Sequence, residues 1–564
     1  MNQPQYMPPP KLRLSNWRLA VFFAVLPLIA LTVVVLGLWR LSGFMPELQN
    51  DLQNTYDDYR VMSAHRGTIV DKNGALLAMN TNVYHAAVHP PVLRRIYTAA
   101  EIPPLAAGVG AILGIDKETV LKKFRRKSDF VYLKKNMSPE EKGKLQELDI
   151  KGLALFFEYK SKRFYPNREV AAPLVGYTNP VGGQGIDFAR HRKLQPTEGE
   201  IRGLRASDGR ILEEFDLTLP KNGDRLWLTI DLRLQISAYE ALRKALVRHK
   251  ARAASAVVMD AITGDVLALA NAPGFNPNNI QKSDLNSDEE RTKNRVIADV
   301  VECGSTVKPF VLALALEHGL SRESEILPTA KPVAVSKKLT VRDGHIRKNI
   351  SVAEVLTRSS NVGAYLLAKR VGKKRYHNFL RDVGFGGGQV LGLSDEATGV
   401  LRHHQDWRRE DFATHAYGYG FSTTLIQLLR AYSIFSSDGL LVEPRLVSRR
   451  QTVVRRKISA QTAKRIRRVM QGVTKGTAPK ASVFGYQVAG KTGTAYKFVN
   501  GQYDTSRRRT FFVGMAPAEK PRYLIAVMVD EPTKNGNSGG QTAAPIFSEI
   551  MRRALLFGAV PPVC

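Results

Sequence analysis

Ser305 and Lys308 stand three residues apart in ECGSTVKPFVLALALEHG, and the apolar run after them reads as a helix. That spacing sets a hydroxyl and an amine side by side on one helix face. A serine hydroxyl is a poor nucleophile until a base removes its proton. A lysine supplies that base only where burial or neighbouring positive charge lowers its pKa. The helix N-terminus adds backbone N–H groups aimed at a developing oxyanion. Alone, S-x-x-K is a weak signal, because an N-cap serine followed by a surface lysine is written with the same letters.

Two further stretches could complete such a site. Ser359-Ser360-Asn361, in LTRSSNVGAYLLAKRVG, offers a hydroxyl to relay a proton and an amide to bind a substrate amide. Ordinary helix capping would use the same residues. Lys491-Thr492-Gly493-Thr494 follows YQVAG, which reads as strand. Thr492 and Gly493 would let an extended substrate pair with that strand edge. Lys491 could bind a carboxylate, or raise the local potential and so help keep Lys308 neutral. The alternative is a solvated turn.

The elements that must carry these residues begin near Asp224. LWLTI (226–230) is strand-like. Residues 231–249 space Leu232, Ile236, Tyr239, Leu242 and Leu246 on one helical face, with Asp231 as N-cap. ASAVVMD (254–260) and DVLALAN (265–271) flank the turn Ala261-Ile262-Thr263-Gly264 as a hairpin. TFFVGMA (510–516) and RYLIAVMVD (522–530) form a second strand pair, and 544–556 a closing helix. Helix, strands, a helix-rich middle, more strands and a last helix predict one large α+β domain.

Upstream, Leu19 to Trp39 runs without a charge, enough for a helix of roughly 31 Å, about one hydrocarbon core. It is longer than a signal-peptide apolar region and no A-x-A pattern follows, which predicts an uncleaved anchor. Lys11, Arg13 and Arg18 precede it, while acidic residues gather after Arg40, so the N-terminus is expected inside and the body outside. Residues 41–60 read as a helical stalk. HRGTIVDKNGALLAMN (65–80) reads as strand, Asn73-Gly74 turn, strand. MSPEEKGKLQEL (137–148) reads as a helix capped by Ser138. From 160 to 220 the chain reads as loop-rich and extended.

The 564 residues carry a formal net charge of +32, which fits an anionic partner. The exported topology argues against nucleic acid. The basic cluster at 448–470 reads as a solvated helix face, with anionic lipid headgroups or an acidic wall polymer as the functional alternative. Two cysteines, Cys303 and Cys564, exclude a disulfide scaffold and a multi-cysteine zinc site.

S-x-x-K, S-x-N and K-T-G in this order resemble the known signature of penicillin-binding proteins and class A β-lactamases. The sequence resembles the class B penicillin-binding proteins, most closely the septal cell-division type, along nearly its whole length. AHRGTIVDKNGALLA resembles the pedestal motif, and SKRFYPNREVAAPLVGYTN the segment joining pedestal to catalytic domain. GSTVKPF, RSSNVGA, YGYGFSTTLIQLLRAYS, AGKTGTA and FFVGMAPAEKPRYLIAVMVDEP resemble the catalytic core.

The resemblance implies a cytoplasmic tail (1–18), a transmembrane helix (19–39), a periplasmic pedestal or dimerisation-type domain (40–223) and a transpeptidase domain (224–564). The last would be an antiparallel sheet with helices on both faces and an all-helical lobe. It implies that Ser305 attacks a D-Ala-D-Ala stem peptide with Lys308 as base. Ser359 would shuttle a proton, and Asn361 would bind the peptide. Lys491 and Thr492 would hold the terminal carboxylate, and the N–H groups of Ser305 and Thr494 would form the oxyanion hole. Gly493, Tyr417 and Gly418 would line the substrate. A second stem peptide's amine would resolve the ester into a cross-link. β-Lactams would acylate Ser305, and neither metal nor organic cofactor is needed. An FtsW-type glycosyltransferase and other divisome membrane proteins are the implied partners at the inner membrane and septum.

Three positions depart from the family pattern. Cys303 stands where proline is frequent, Tyr496 where a basic residue is common, and Asn537-Ser538 where many relatives carry an aromatic pair. A variant paralogue of the septal enzyme would carry such changes. Cys303 reads as a small buried apolar residue. The competing readings are an elongation-type transpeptidase, a serine D,D-carboxypeptidase or β-lactamase, and a β-lactam sensor or scaffold. The anchor and pedestal count against a free β-lactamase, the short inside segment against a sensor, and the absence of appended C-terminal repeats against elongation.

Overall fold

The computed structural model describes residues 16–150, 154–179, 182–205, 211–281, 284, 290–344, 348–448 and 451–562. The Pro-rich start with Lys11 and Arg13, and Cys564, lie outside the described residues. The chain divides into two compact units, residues 1–64 with 197–221, and residues 65–196 with 222–564.

The first unit opens with a single helix, Asn16–Tyr56, whose segment Val21–Gly43 has mean hydropathy 2.8 and is long enough to cross a membrane. The apolar span runs four residues past Trp39, because Arg40 is a lone charge among Leu38, Leu41 and Gly43. The expected stalk is helical only to Tyr56. Asp57–Met62 is a strand, paired antiparallel with Gly199–Arg205, which in turn pairs with Ile211–Thr218.

In the second unit, Leu76–Val88 pairs with Ile69–Val70, Val131–Met137 and Leu155–Phe164. The Asn73-Gly74 turn is built as expected. Asp71 accepts from the N–H groups of Asn73 and Ala75 at 2.8 Å each. The helix Pro139–Gln146 carries the full capping box, Ser138 with Glu141. The stretch expected to be loop-rich also holds short helices, Ala172–Val175, Gly185–Ala189 and His191–Leu194. They are too short to show a period, yet Leu174, Val175, Ile186 and Leu194 are buried in the main core. Among them Asp187 is sealed from water. It pairs with Arg66 at 2.8 Å and Arg163 at 2.9 Å, and accepts the Tyr165 hydroxyl at 2.8 Å. That one carboxylate ties together three segments remote in sequence.

The larger part is built on helix α1 (Leu232–His249), strands β1 (Ala253–Asp260) and β2 (Val266–Ala272), helices α2 (Lys308–Glu317), α3 (Asn361–Val371), α4 (Lys373–Val383), α5 (Leu425–Ser436) and α6 (Ala460–Lys475), strands β3 (Ala489–Val499), β4 (Gln502–Ala516) and β5 (Tyr523–Asp530), and helix α7 (Ala543–Phe557). The strands form one antiparallel sheet in the order β2-β1-β5-β4-β3. Every residue of β1, β2 and β5 is buried, which requires cover on both faces. Ala254, Ala256 and Val258 meet α1 and α7, while Val257 and Met259 face the helical middle of the chain. Asp231 caps α1 as expected, at 3.1 Å from the Arg233 N–H. The buried stripe of α1 is rotated from the expected one: Leu234, Ala238, Ala241 and Ala245 go inside with Tyr239 and Leu242, while Leu232, Ile236 and Leu246 sit at its margins. Small alanines let the helix lie close to the sheet.

The basic cluster at 448–470 is largely the solvated face expected of it, with Arg455, Arg456, Lys464 and Arg468 exposed, and Arg467 on α6 is the exception. Arg467 is buried and donates to Phe435 O at 2.7 Å while pairing with Asp438 at 2.7 Å. Arg465 pairs with Glu323 at 2.7 Å.

Candidate active site

α2 is buried along its length, from Lys308 to Leu316. Phe310 anchors it in an aromatic cluster with Phe379, Phe385, Tyr432 and Phe435. Tyr432 also donates its hydroxyl to Thr306 O at 2.6 Å. The tight turn Gly304–Val307, with Ser305 half-buried on it, therefore stands on a rigid base. Cys303 is wholly buried, and burial pushes its thiol up to about 12. It is packing material there, as the sequence reading has it.

The three motifs meet. Lys308 Nζ donates to Ser359 O at 2.6 Å and Asn361 Oδ1 at 2.7 Å, and lies 3.3 Å from Ser359 Oγ. Lys491 Nζ donates to the same Ser359 Oγ at 3.0 Å and lies 3.3 Å from Thr492 Oγ1. Among the described residues neither lysine makes an ion pair, and both are wholly buried. Desolvation first, and the Lys491 charge second, hold Lys308 well below the ordinary lysine range. Desolvation lowers Lys491 to about 7. A neutral Lys308 that spends two N–H groups on Ser359 O and Asn361 Oδ1 keeps its lone pair for a hydroxyl proton.

Ser360 caps α3 on the Gly363 N–H at 2.8 Å, as the capping alternative expects, so its neighbours Ser359 and Asn361 are free to face the lysines. Ser359 itself has φ 57°. For a residue with a Cβ that left-handed conformation costs about 1–2 kcal/mol. The surrounding bonds hold it there with its hydroxyl between two amines. Asp343 fixes this turn, accepting from the Ser360 hydroxyl and the Asn361 N–H, each at 2.5 Å.

The K-T-G residues sit inside strand β3 rather than on a turn after it. The strand begins at Ala489, and Val483 to Tyr486 instead form a tight bridge. β3 is the edge of the sheet, open to an added strand. Gly493 is required, because a Cβ there would lie 2.7 Å from Cys303 O. Thr494 is thereby laid against Gly304, the residue before Ser305. Gly418 closes the other side. The Gly304 N–H donates to Gly418 O at 3.1 Å, φ at Gly418 is +91°, and a Cβ would meet Gly304 O at 1.9 Å. Tyr417 is half-buried, with Tyr419 packed edge-on at 6.1 Å.

A cavity of about 470 Å³ opens beside Glu302 and is lined further by Arg402, Gly420, Tyr496, Tyr503 and Arg509. Glu302 Oε1 accepts from the Gly420 N–H at 2.6 Å and the Tyr503 hydroxyl at 2.9 Å. Its Oε2 is buried with no partner among the described residues, and burial raises its pKa. Glu302 and Asp343 are singled out by nothing in the sequence analysis, whereas Tyr419 lies within the YGYGFSTT stretch and Tyr503 is a candidate wall residue. For Glu302 the available signal was its place three residues before Ser305. For Asp343 there was none.

The turn at Asn537-Ser538 is held by its own side chains. Gln541 Oε1 accepts from the Asn537 N–H at 3.2 Å and the Ser538 hydroxyl at 3.1 Å. The Gly539 N–H reaches Thr494 Oγ1 at 3.4 Å, which places the turn at the site.

Residues 254–552 match the penicillin-binding protein transpeptidase domain, and residues 61–228 the penicillin-binding protein dimerisation domain. The chain is 32% identical to the probable peptidoglycan D,D-transpeptidase PenA of Neisseria meningitidis, over 97% of this chain and 94% of that protein. It is 34% identical to the probable D,D-transpeptidase PbpC of Pseudomonas aeruginosa, over 95% of each. It is 31% identical to the peptidoglycan D,D-transpeptidase FtsI of Escherichia coli, over 95% of this chain and 91% of that one. The crystal structure of penicillin-binding protein 2X from Streptococcus thermophilus aligns with TM-score 0.75 at 25% identity, covering 89% of this chain and 81% of that chain. The apolar N-terminal helix, with relatives of the FtsI type, fits a single-pass inner-membrane protein with a periplasmic catalytic domain. Two domain matches, whole-length relatives and the joined motifs lead to one statement: this chain belongs to the class B penicillin-binding proteins, the serine-type peptidoglycan D,D-transpeptidases related to FtsI.

Proposed function

We propose that Ser305 is the acylated nucleophile and Lys308 its base, in an enzyme that cross-links stem peptides at the division septum. The observation that carries this reading is the meeting of two buried lysines on Ser359 Oγ. Neutral Lys308 takes the Ser305 proton as Oγ attacks the carbonyl of the penultimate D-Ala. The oxyanion is received by the N–H groups of Ser305 and Thr494. Ser359 passes a proton to the leaving amine, the C–N bond breaks, and the terminal D-Ala departs. Asn361 binds the peptide, Lys491 and Thr492 bind the terminal carboxylate, and the strand edge at Gly493 takes the backbone beside Tyr417 and Gly418. The amine of a second stem peptide then attacks the ester, and its proton returns to Ser305.

The division of labour along the chain is a cytoplasmic tail to residue 18, a membrane helix, a pedestal to residue 223, and the transpeptidase domain from 224. An FtsW-type glycosyltransferase and other divisome membrane proteins are the partners that a septal enzyme requires. Its likeness to FtsI supports the septal place.

A fluorescent penicillin should label the full chain in detergent at Ser305, and Ser305→Ala should abolish the label. An adduct mapped to another residue would overturn the assignment. Stem peptides ending in D-Ala-D-Ala, offered with an acceptor amine, should yield amide product. Free acid alone would make the enzyme a hydrolase. A fluorescent fusion found along the side wall rather than the septum would move it to elongation.

A further inference from the structure

We propose that His377, His403 and His404 form a binding site for a divalent transition metal, zinc foremost, on the helical part of the transpeptidase domain. One ring nitrogen from each lies within 4.8 Å of the others. Ring centroids stand 5.1 Å apart for His377 and His403, 5.3 Å for His377 and His404, and 4.2 Å for His403 and His404. Three imidazoles and an open fourth position are a donor set that suits zinc, copper or nickel.

The site has a fixed part and an adjustable part. His377 is buried on α4, and its Nδ1 lies 3.1 Å from Asn378 Oδ1. An amide oxygen can only accept, so Nδ1 carries the proton and Nε2 keeps its lone pair for a metal. Such an orienting partner is the usual companion of a ligating histidine. His403 is exposed and His404 half-buried on the turn 403–406. Nitrogens around a tetrahedral zinc stand about 3.3–3.5 Å apart, so side-chain rotations of this outer pair close the gap. The bond His403 gives up is a long one, 3.4 Å from the Gln405 N–H.

An ion here would join α4 to the turn that leads toward the active site. Lys373 already reaches across to Trp407 O at 2.5 Å. Trp407 lies edge-on to His377 at 5.5 Å and against His415 at 4.3 Å. The helix Arg409–His415 then leads straight into Tyr417 and Gly418. The role is that of a clasp, apart from the acyl-transfer groups.

The test uses the full chain in detergent, without a polyhistidine tag, stripped with a chelator and titrated with zinc chloride. One zinc should bind per chain, and the thermal transition should rise with it. His403→Ala/His404→Ala should weaken binding at least about 100-fold and remove the rise, while still taking a penicillin label as proof of folding. His318→Ala, at an exposed histidine outside the cluster, should behave as wild type. Copper(II) chloride in a parallel titration decides which ion the site prefers. If the stripped chain binds neither ion, or the double variant binds them as well as wild type does, the site does not exist.

Discussion

Asp187 and Lys491 are both sealed from water, yet their surroundings differ in charge balance. Around Asp187 two arginines and a tyrosine hydroxyl converge on one carboxylate, so each charge removed from water gains an opposite partner. Around Ser359 two lysines are buried together, and the pull of Asp343 on Lys308 is outweighed by burial and by the Lys491 charge. The first arrangement holds charge in place and joins segments. The second drives charge off one amine, the condition for the base role proposed for Lys308. Buried ionisable groups therefore say little by their number. Their partners decide whether they serve architecture or chemistry.

The sharpest way to break this comparison is to remove one member from each cluster. Lys308→Ala should lower the penicillin acylation rate by about 10⁴-fold or more, since deleting one member of a nucleophile–base unit forfeits nearly the whole effect. It should lose less thermal stability than Asp187→Asn, because two neutral acceptors lose a donor but no opposite charge is stranded. Asp187→Asn should do the reverse. Stranding two arginines should cost about 3–5 kcal/mol of unfolding free energy, read by denaturant titration, while the folded fraction acylates at its normal rate. Equal loss of stability in both variants would erase the distinction.

The pH profile sharpens it. The base must be neutral, so acylation rises with pH as Lys308 loses its proton at its lowered pKa. In its proposed role as carboxylate binder Lys491 must be charged, so the rate should fall as it loses its proton at about 7. Because the two amines interact, the limbs belong to the pair. Lys491→Arg keeps the charge at all these pH values and should move the alkaline limb upward. An unmoved limb would mean that another group titrates there.

Smaller effects test the walls. An aromatic contact is worth about 0.5–1.5 kcal/mol beyond its buried area, so Asn537→Tyr/Ser538→Phe should speed acylation by bulky apolar β-lactams about 2- to 13-fold. Small-side-chain compounds should change little. If the ratio of the two rates does not move, the wall belongs to Tyr419 and Tyr503 at the Glu302 cavity. Smallest of all, Cys303→Ala should acylate within about twofold of wild type, since one buried thiol is exchanged for a methyl of similar character. Loss of labelling on mild oxidation, resisted by that variant, would instead make the thiol a switch.

What the sequence by itself determined is what local physics decides. The apolar run makes one long helix. Asp231 and Ser138 cap the helices their spacing announces, and the 261–264 turn closes its hairpin. Motif letters named the lysines and hydroxyls of the site. Only the tertiary structure decided what those groups are. Lys308 and Lys491 lie far apart in the chain, and each loses its water through residues from still other segments. Glu302 became the wall of a cavity only when Gly420 and Tyr503 arrived, and Arg467 left the solvated face its helix seemed to offer because Phe435 and Asp438 waited beneath it. Desolvation is a property of all the neighbours together, and a one-dimensional pattern holds only the nearest few.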